Sequence, residues 1–173
     1  SGRYVIVFNG EIYNYRELRQ QYEAAGAIFR TQSDTEVILE GFKLKGEAVC
    51  KDLNGMFALA IWDTQEKTLF LARDRLGKKP LYWVWLRGRF YFASTLDAFR
   101  ALPGWTGELS RLNLDAYAAL GNYLPGETAF RQARTLPPAS HARIRAGDQA
   151  PQITTYWRMD FSSKRVVSMG DAL

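Results

Sequence analysis

Tyr4-Val5-Ile6-Val7-Phe8-Asn9-Gly10-Glu11-Ile12-Tyr13-Asn14 is the stretch on which the reading of this chain turns. Its first five residues are apolar, β-branched or aromatic, the composition of a buried strand. Tyr15 to Ala25 follows with Leu18, Tyr22 and Ala25 at helical spacing, Asn14 in the place of an N-cap and Gly26 as a stop. Asn9 and Gly10 therefore fall where a strand is expected to give way to a helix. The Asn9 amide can donate two hydrogen bonds. Gly10 lacks a Cβ, so its backbone N–H is open to close approach. Two such donors fixed at a strand end are the parts of an oxyanion hole. Asn-Gly by itself is also a common tight turn, and the dipeptide alone leaves both readings standing.

Beyond Gly26, Ala27 to Thr31 reads as a short strand. Ser33 and Glu36 have capping-box spacing before a second helix carrying Val37, Ile38, Gly41, Phe42 and Leu44. A short helix from Glu47 to Leu53 ends at Asn54-Gly55. Met56 to Trp62 is apolar throughout, which suits a strand covered on both faces, and Thr68 to Arg73 returns from it as a hairpin. Pro80 to Leu86 and Arg89 to Ala93 form a second hairpin, rich in aromatic rings. A short helix covers Leu96 to Leu102. Asn113 to Leu120 is helical, with Leu112, Leu114, Tyr117 and Leu120 as its apolar face. From Phe130 the chain is irregular, with strands at Ser140 to Arg145 and Ile153 to Trp157. One strand, then helices, then consecutive hairpins argue for an α+β layout with helices segregated from antiparallel sheet.

At 173 residues the chain suffices for one domain with a sizeable core, and 47% hydrophobic residues exclude global disorder. The net charge of +5 comes from scattered residues. No basic stripe with interleaved aromatics argues for nucleic acid. One Cys and one His leave no zinc-ligand cluster and no internal disulfide, which agrees with a cytoplasmic protein. No apolar run approaches a membrane span. Ser1-Gly2-Arg3 leads at once into the first strand without an initiator Met, and reads as a chain cut inside a domain.

Phe8-Asn9-Gly10-Glu11-Ile12-Tyr13-Asn14 resembles the glutamine-binding motif of glutamine-hydrolysing asparagine synthases. These carry a class II glutamine amidotransferase domain of the N-terminal-nucleophile hydrolase fold. The likeness covers nearly the whole chain. Ser33-Asp34-Thr35-Glu36-Val37-Ile38 is similar to the family's second glutamine-contacting segment. Leu53-Asn54-Gly55-Met56-Phe57-Ala58, Leu71-Ala72-Arg73-Asp74-Arg75-Leu76-Gly77, Lys79-Pro80-Leu81-Tyr82 and Leu136-Pro137-Pro138 match later landmarks. Thr95 and Ala139-Ser140 depart from it, where Glu and Gly are usual.

The resemblance implies a four-layer αββα sandwich over residues 1–161, incomplete at its front. Residues 162–173 would begin a linker to a synthetase domain that this sequence lacks. It implies hydrolysis of glutamine by an N-terminal Cys thiolate, with Asn9 and Gly10 holding the oxyanion. Glu11 and Asp34 would contact glutamine, Asp34 through the α-ammonium. The catalytic Cys and the Arg-containing segment for the glutamine carboxylate are not in this sequence. The fragment alone is therefore expected to be inactive, without metal or cofactor. In the parent, ammonia would serve an ATP- and Mg²⁺-dependent amidation of aspartate. Two alternatives stay open: an amidotransferase for another carboxylate acceptor, such as a surface-polysaccharide sugar, and a non-catalytic interaction module.

Other residues read as structural. Ser1 lies eight residues from Asn9, about 25 Å along an extended strand, too far to attack there. Cys50 reads as a buried thiol and His141 as a core or surface residue. Arg73-Asp74-Arg75 reads as an ion-pair loop. Truncation before Tyr4 is expected to leave an unpaired strand edge, and with it self-association.

Overall fold

The computed structural model describes residues 2–162. Its centre is β2 (Gly55–Asp63), the apolar run, which lies inside a sheet and is covered on both faces. β1 (Tyr4–Ile12) pairs along one side of it and β3 (Thr68–Arg73) along the other. β3 pairs in turn with β7 (Ser140–Arg145), and β7 with β8 (Gln152–Thr155), so the antiparallel order is β1-β2-β3-β7-β8. A smaller antiparallel sheet sets β4 (Tyr82–Leu86) between β5 (Arg89–Ala93) and β6 (Ala133–Thr135).

Side-chain alternation along β2 divides two cores. Phe57, Leu59 and Ile61 pack with Leu18 and Tyr22 of α1 (Tyr15–Ala24), Val37 and Ile38 of α2 (Asp34–Lys45), and Val49 and Cys50 of α3 (Val49–Asp52). Ala58 and Ala60 point the other way and, with Leu71, Ala142 and Ile144, meet Leu81, Leu136, Trp85, Phe90 and Phe92. Small residues on β2 and rings on the smaller sheet fill the roughly 10 Å between packed sheets. The outer face of the smaller sheet is covered by the 3₁₀ segment Leu96–Ala101, whose Phe99 is buried against Val84, Leu86 and Ala133. Helices, sheet, sheet and a thinner helical cover give the expected layering.

Arg73 and Asp74 tie the two sheets together, though not as the ion-pair loop expected from sequence. The Arg73 guanidinium donates to the carbonyls of Gly77, Lys79 and Leu136, each at 2.7 Å, and to Thr135 Oγ1 at 3.1 Å. The Asp74 carboxylate is buried and accepts from the backbone N–H of Phe57, Leu76, Lys78 and Lys79 at 2.9–3.2 Å. Each charge is thus dispersed over peptide groups, the condition for burying it.

Several local expectations change. β1 continues four residues past Phe8, so Asn9-Gly10 lies inside a strand rather than at its exit. Ala27 to Thr31 forms no strand, because the Glu36 carboxylate takes the N–H of Arg30 at 2.9 Å and of Thr31 at 2.6 Å. Ser33 still caps α2, accepting from Glu36 N at 3.2 Å. On α4 (Arg111–Leu120) three of the four residues expected to form its apolar face are turned outward, Leu112 at 72% exposed, Tyr117 at 48% and Leu120 at 68%, while Leu114 is half-buried. The helix is anchored instead by buried Asn113, whose amide donates to Glu127 Oε2 and to the Thr128 carbonyl, both at 2.8 Å. β6 was not legible at all. Of the linker segment, residues 163–173 lie outside the described residues, as does Ser1. Among the described residues, no helix is long and apolar enough to cross a membrane.

Candidate functional site

β1 is the edge of the larger sheet, and two hydrogen bonds fix which way each of its peptide groups points. Tyr13 N donates to Asn54 O at 2.7 Å, toward β2. Ile12 N donates to Asp34 Oδ2 at 3.1 Å, away from β2. The β1–β2 register is unbroken from Tyr4 opposite Asp63 to Ile12 opposite Gly55. Peptide groups alternate along a strand, so the N–H of Asn9 and Glu11 face β2, and the N–H of Gly10 faces the open edge. Gly10 and Phe57 form a pair without mutual backbone bonds. Phe57 uses its own N–H and C=O on Asp74 instead.

The same alternation sorts the side chains. Tyr4, Ile6, Phe8 and Ile12 turn toward the helices. Val5, Val7, Asn9 and Glu11 are exposed on the opposite face, over the register partners Ala60 and Ala58 of the inter-sheet core. Among the described residues the Asn9 amide and the Glu11 carboxylate have no hydrogen-bond partner. The Asn9 side chain and the Gly10 N–H therefore meet at one corner, where the inter-sheet face ends at the free edge. The turn reading of Asn-Gly does not hold.

Gly10 is required for this. Its φ is +155°, and a Cβ built on it would stand 2.1 Å from Met56 O. Gly55 answers it across the strands: a Cβ there would stand 2.1 Å from Glu11 O. Sequence reasoning read Gly55 only as the stop of a helix. Its role in letting β1 and β2 nest is a tertiary property with no local signal.

Asp34 opens α2 and reaches the same edge through Ile12 N, two residues beyond Gly10. Its other oxygen is reached by Thr35 Oγ1 at 3.4 Å. Neither Glu11 nor Asp34 forms an ion pair among the described residues. The structure thus brings all four motif residues, Asn9, Gly10, Glu11 and Asp34, to one end of one strand.

It does not bring Cys50 or His141 there. Cys50 is fully buried on the helix side of the sheet, opposite to the face Asn9 uses, and burial pushes its thiol well up. His141 is buried in β7, its ring against Phe70, with Nδ1 lacking a hydrogen-bond partner among the described residues and 3.7 Å from Glu47 Oε2. Burial lowers its imidazole below the ordinary value of 6.5.

Residues 1–157 match the family described as glutamine amidotransferase domain. A Mycobacterium tuberculosis protein is 42% identical over 98% of the chain, which spans 26% of that protein. "Asparagine synthetase (glutamine-hydrolyzing) 3" of Bacillus subtilis is 37% identical over 98% of the chain and 27% of its own length. The chain thus spans about a quarter of the curated relatives it matches. Among solved structures, the glutamine phosphoribosylpyrophosphate amidotransferase of B. subtilis superposes with a TM-score of 0.63 at 23% identity, over 89% of this chain and 29% of that one. A class-II glutamine aminotransferase domain protein of Silicibacter pomeroyi does so with 0.52 at 15% identity, over 92% and 70%. At these identities the structural likenesses speak for the fold.

Proposed function

The chain belongs to the glutamine amidotransferase domain family, and on that footing we propose that it is the glutaminase part of a glutamine-dependent asparagine synthase. The observation that carries the reading is the corner itself: an unengaged amide and an outward N–H, with an unpaired carboxylate further along the same edge. Gly10 and Ile12, to whose N–H Asp34 is bonded, are about 7 Å apart along the strand. Five bonds separate the α-nitrogen of glutamine from its amide oxygen, about 6 Å when extended. Glutamine laid along the edge places its amide oxygen at Gly10 and its ammonium at Asp34, with Glu11 adding negative charge beside it.

In this proposal the nucleophile is a Cys thiolate carried by a part of the longer protein outside this sequence, whose one Cys is the buried Cys50. Its sulfur bonds to the amide carbon, and the carbonyl π-electrons move to the oxygen. That oxygen accepts from Asn9 Nδ2 and Gly10 N–H while it is tetrahedral and negative. Collapse expels ammonia, protonated by the α-ammonium of that same Cys, whose amine had taken the thiol proton, and water then releases glutamate from the thioester. The chain by itself binds glutamine weakly and does not turn it over. ATP, Mg²⁺ and aspartate belong to a synthetase domain of the longer, cytoplasmic protein. Without a partner strand, the free edge of β1, with Val5 and Val7 exposed beside it, drives self-association.

The deciding experiment is glutamate release by the longer protein with Asn9→Ala. A fall in kcat of about 10²–10³ is expected for loss of one oxyanion donor. A kcat equal to wild type overturns the reading.

A further inference from the structure

Asn14 occupies the sequence position of a helix N-cap, yet its side chain caps nothing in α1. It reaches across to the entrance of β2 instead. Nδ2 donates to Asp52 O and Oδ1 accepts from Asn54 N, both at 2.9 Å. Asp52 is the last residue of α3, so its carbonyl is one of those a helix end leaves without an internal partner. With Tyr13 N on Asn54 O at 2.7 Å, three bonds clip residues 13–14 to 52–54.

This clip sits four residues from Gly10 on a strand that, among the described residues, pairs with another strand along one side only. β2 is held at Phe57 from the far side by Asp74, so it is the fixed member of the pair. The exit of β1 is held to the rest by the Glu11–Met56 pair, the Ile12–Asp34 bond and the clip. An edge strand frays from its end inward. If the clip opens, Glu11 to Tyr13 lift from β2, and the Gly10 N–H and the Asn9 amide lose their common corner. A misplacement of about 1 Å at a reacting centre costs up to about 10²-fold in rate.

We propose that Asn14 is a positioning residue for glutamine hydrolysis. It touches no reacting atom and acts through the placement of Asn9 and Gly10. The inference rests on the glutaminase reading above.

Two measurements test it. In this chain, Asn14→Ala should lower the hydrogen-exchange protection of the Glu11 and Tyr13 amides by about tenfold or more, leaving Val5 and Val7 unchanged. A uniform loss would make Asn14 a general stabiliser, and no loss would remove the clip; either overturns the proposal. In the longer protein, Asn14→Ala should lower kcat for glutamate release by about 10- to 100-fold with KM within about twofold. Asn14→Asp, which keeps the acceptor for Asn54 N–H, should recover part of that loss and carries the test if Asn14→Ala does not fold. Wild-type kcat in both variants, or an effect on KM alone, sinks the proposal. Asn9→Ala run alongside separates the two failures. If it is impaired and Asn14→Ala is not, only the positioning role falls; if Asn9→Ala is itself wild type, the glutaminase reading falls.

Discussion

Gly10 lies against Met56 so closely that its missing Cβ would stand 2.1 Å from the Met56 carbonyl oxygen. Backbone against backbone leaves no flexible group to yield. Gly10→Ala should therefore destabilise the fold by about 3 kcal/mol, from the clash and the φ of +155° together. Gly2→Ala is the control, since a Cβ there meets nothing within 4 Å. Urea unfolding of the two variants measures the difference, and equal midpoints would contradict the close approach.

Asp74→Asn replaces a carboxylate that accepts four backbone N–H bonds by a group with one acceptor oxygen and an NH₂ facing former partners. A loss of about 3 kcal/mol is expected, in the range for buried hydrogen bonds to a charged group. Because the loop from Asp74 to Lys79 joins the two sheets, near-UV circular dichroism of Trp83 and Trp85 should change with it. An unaltered urea midpoint would show that the loop holds without the hub.

Asp34→Asn separates binding from folding. The asparagine oxygen can still accept from Ile12 N, so stability should change by under about 1 kcal/mol. The negative charge proposed to meet the glutamine ammonium is gone, and KM of the longer protein should rise about 10- to 100-fold. A KM within error of wild type would assign Asp34 to the strand edge alone.

The Arg3 guanidinium, donating from Nε at 3.1 Å and Nη2 at 2.7 Å, holds the Asp63 carboxyl down at about 2, against its ordinary 3.8. A lowered folded-state value means that the unfolded chain binds the proton more readily. The stability from this pair is present above pH 3.8 and is lost as pH falls toward 2. Urea midpoints of wild type and Asp63→Asn, compared from pH 6 to pH 2, should converge across that window. A constant gap would show that the pair is uncoupled from folding.

Val7 is 62% exposed on the edge strand and Val5 55%. Val7→Lys should convert a self-associating chain to a monomer, since a charge on an edge strand disfavours pairing. Sedimentation velocity that finds wild type already monomeric would remove the proposed association.

The two hairpins, most of the longer strands and the layer class were legible in the sequence because they depend on local periodicity; the three-residue β6 was not. Met56 to Trp62 could bury both faces only inside a sheet, and Ser33 announced the start of α2. Asn9 and Gly10 were readable as candidate donors from their own chemistry, whereas Glu11 and Asp34 were singled out only by the family resemblance. The errors have one source. Leu112 and Leu120 have core composition yet stay exposed, because Asn113 found Glu127 and Thr128 first. Glu36 took the amides that would have made a strand of Ala27 to Thr31.

The chain order alone determined which groups exist: two donors, an amide and a glycine N–H, and two carboxylate acceptors. Only the tertiary structure decided where they point. The direction of the Gly10 N–H follows from the parity of β1 against β2, set by Tyr13 on Asn54 and Ile12 on Asp34. Those partners are 41 and 22 residues away, and a one-residue slip would turn the N–H into the sheet and the Asn9 side chain to the helices. Composition cannot encode that parity, because it belongs to two strands and not to one.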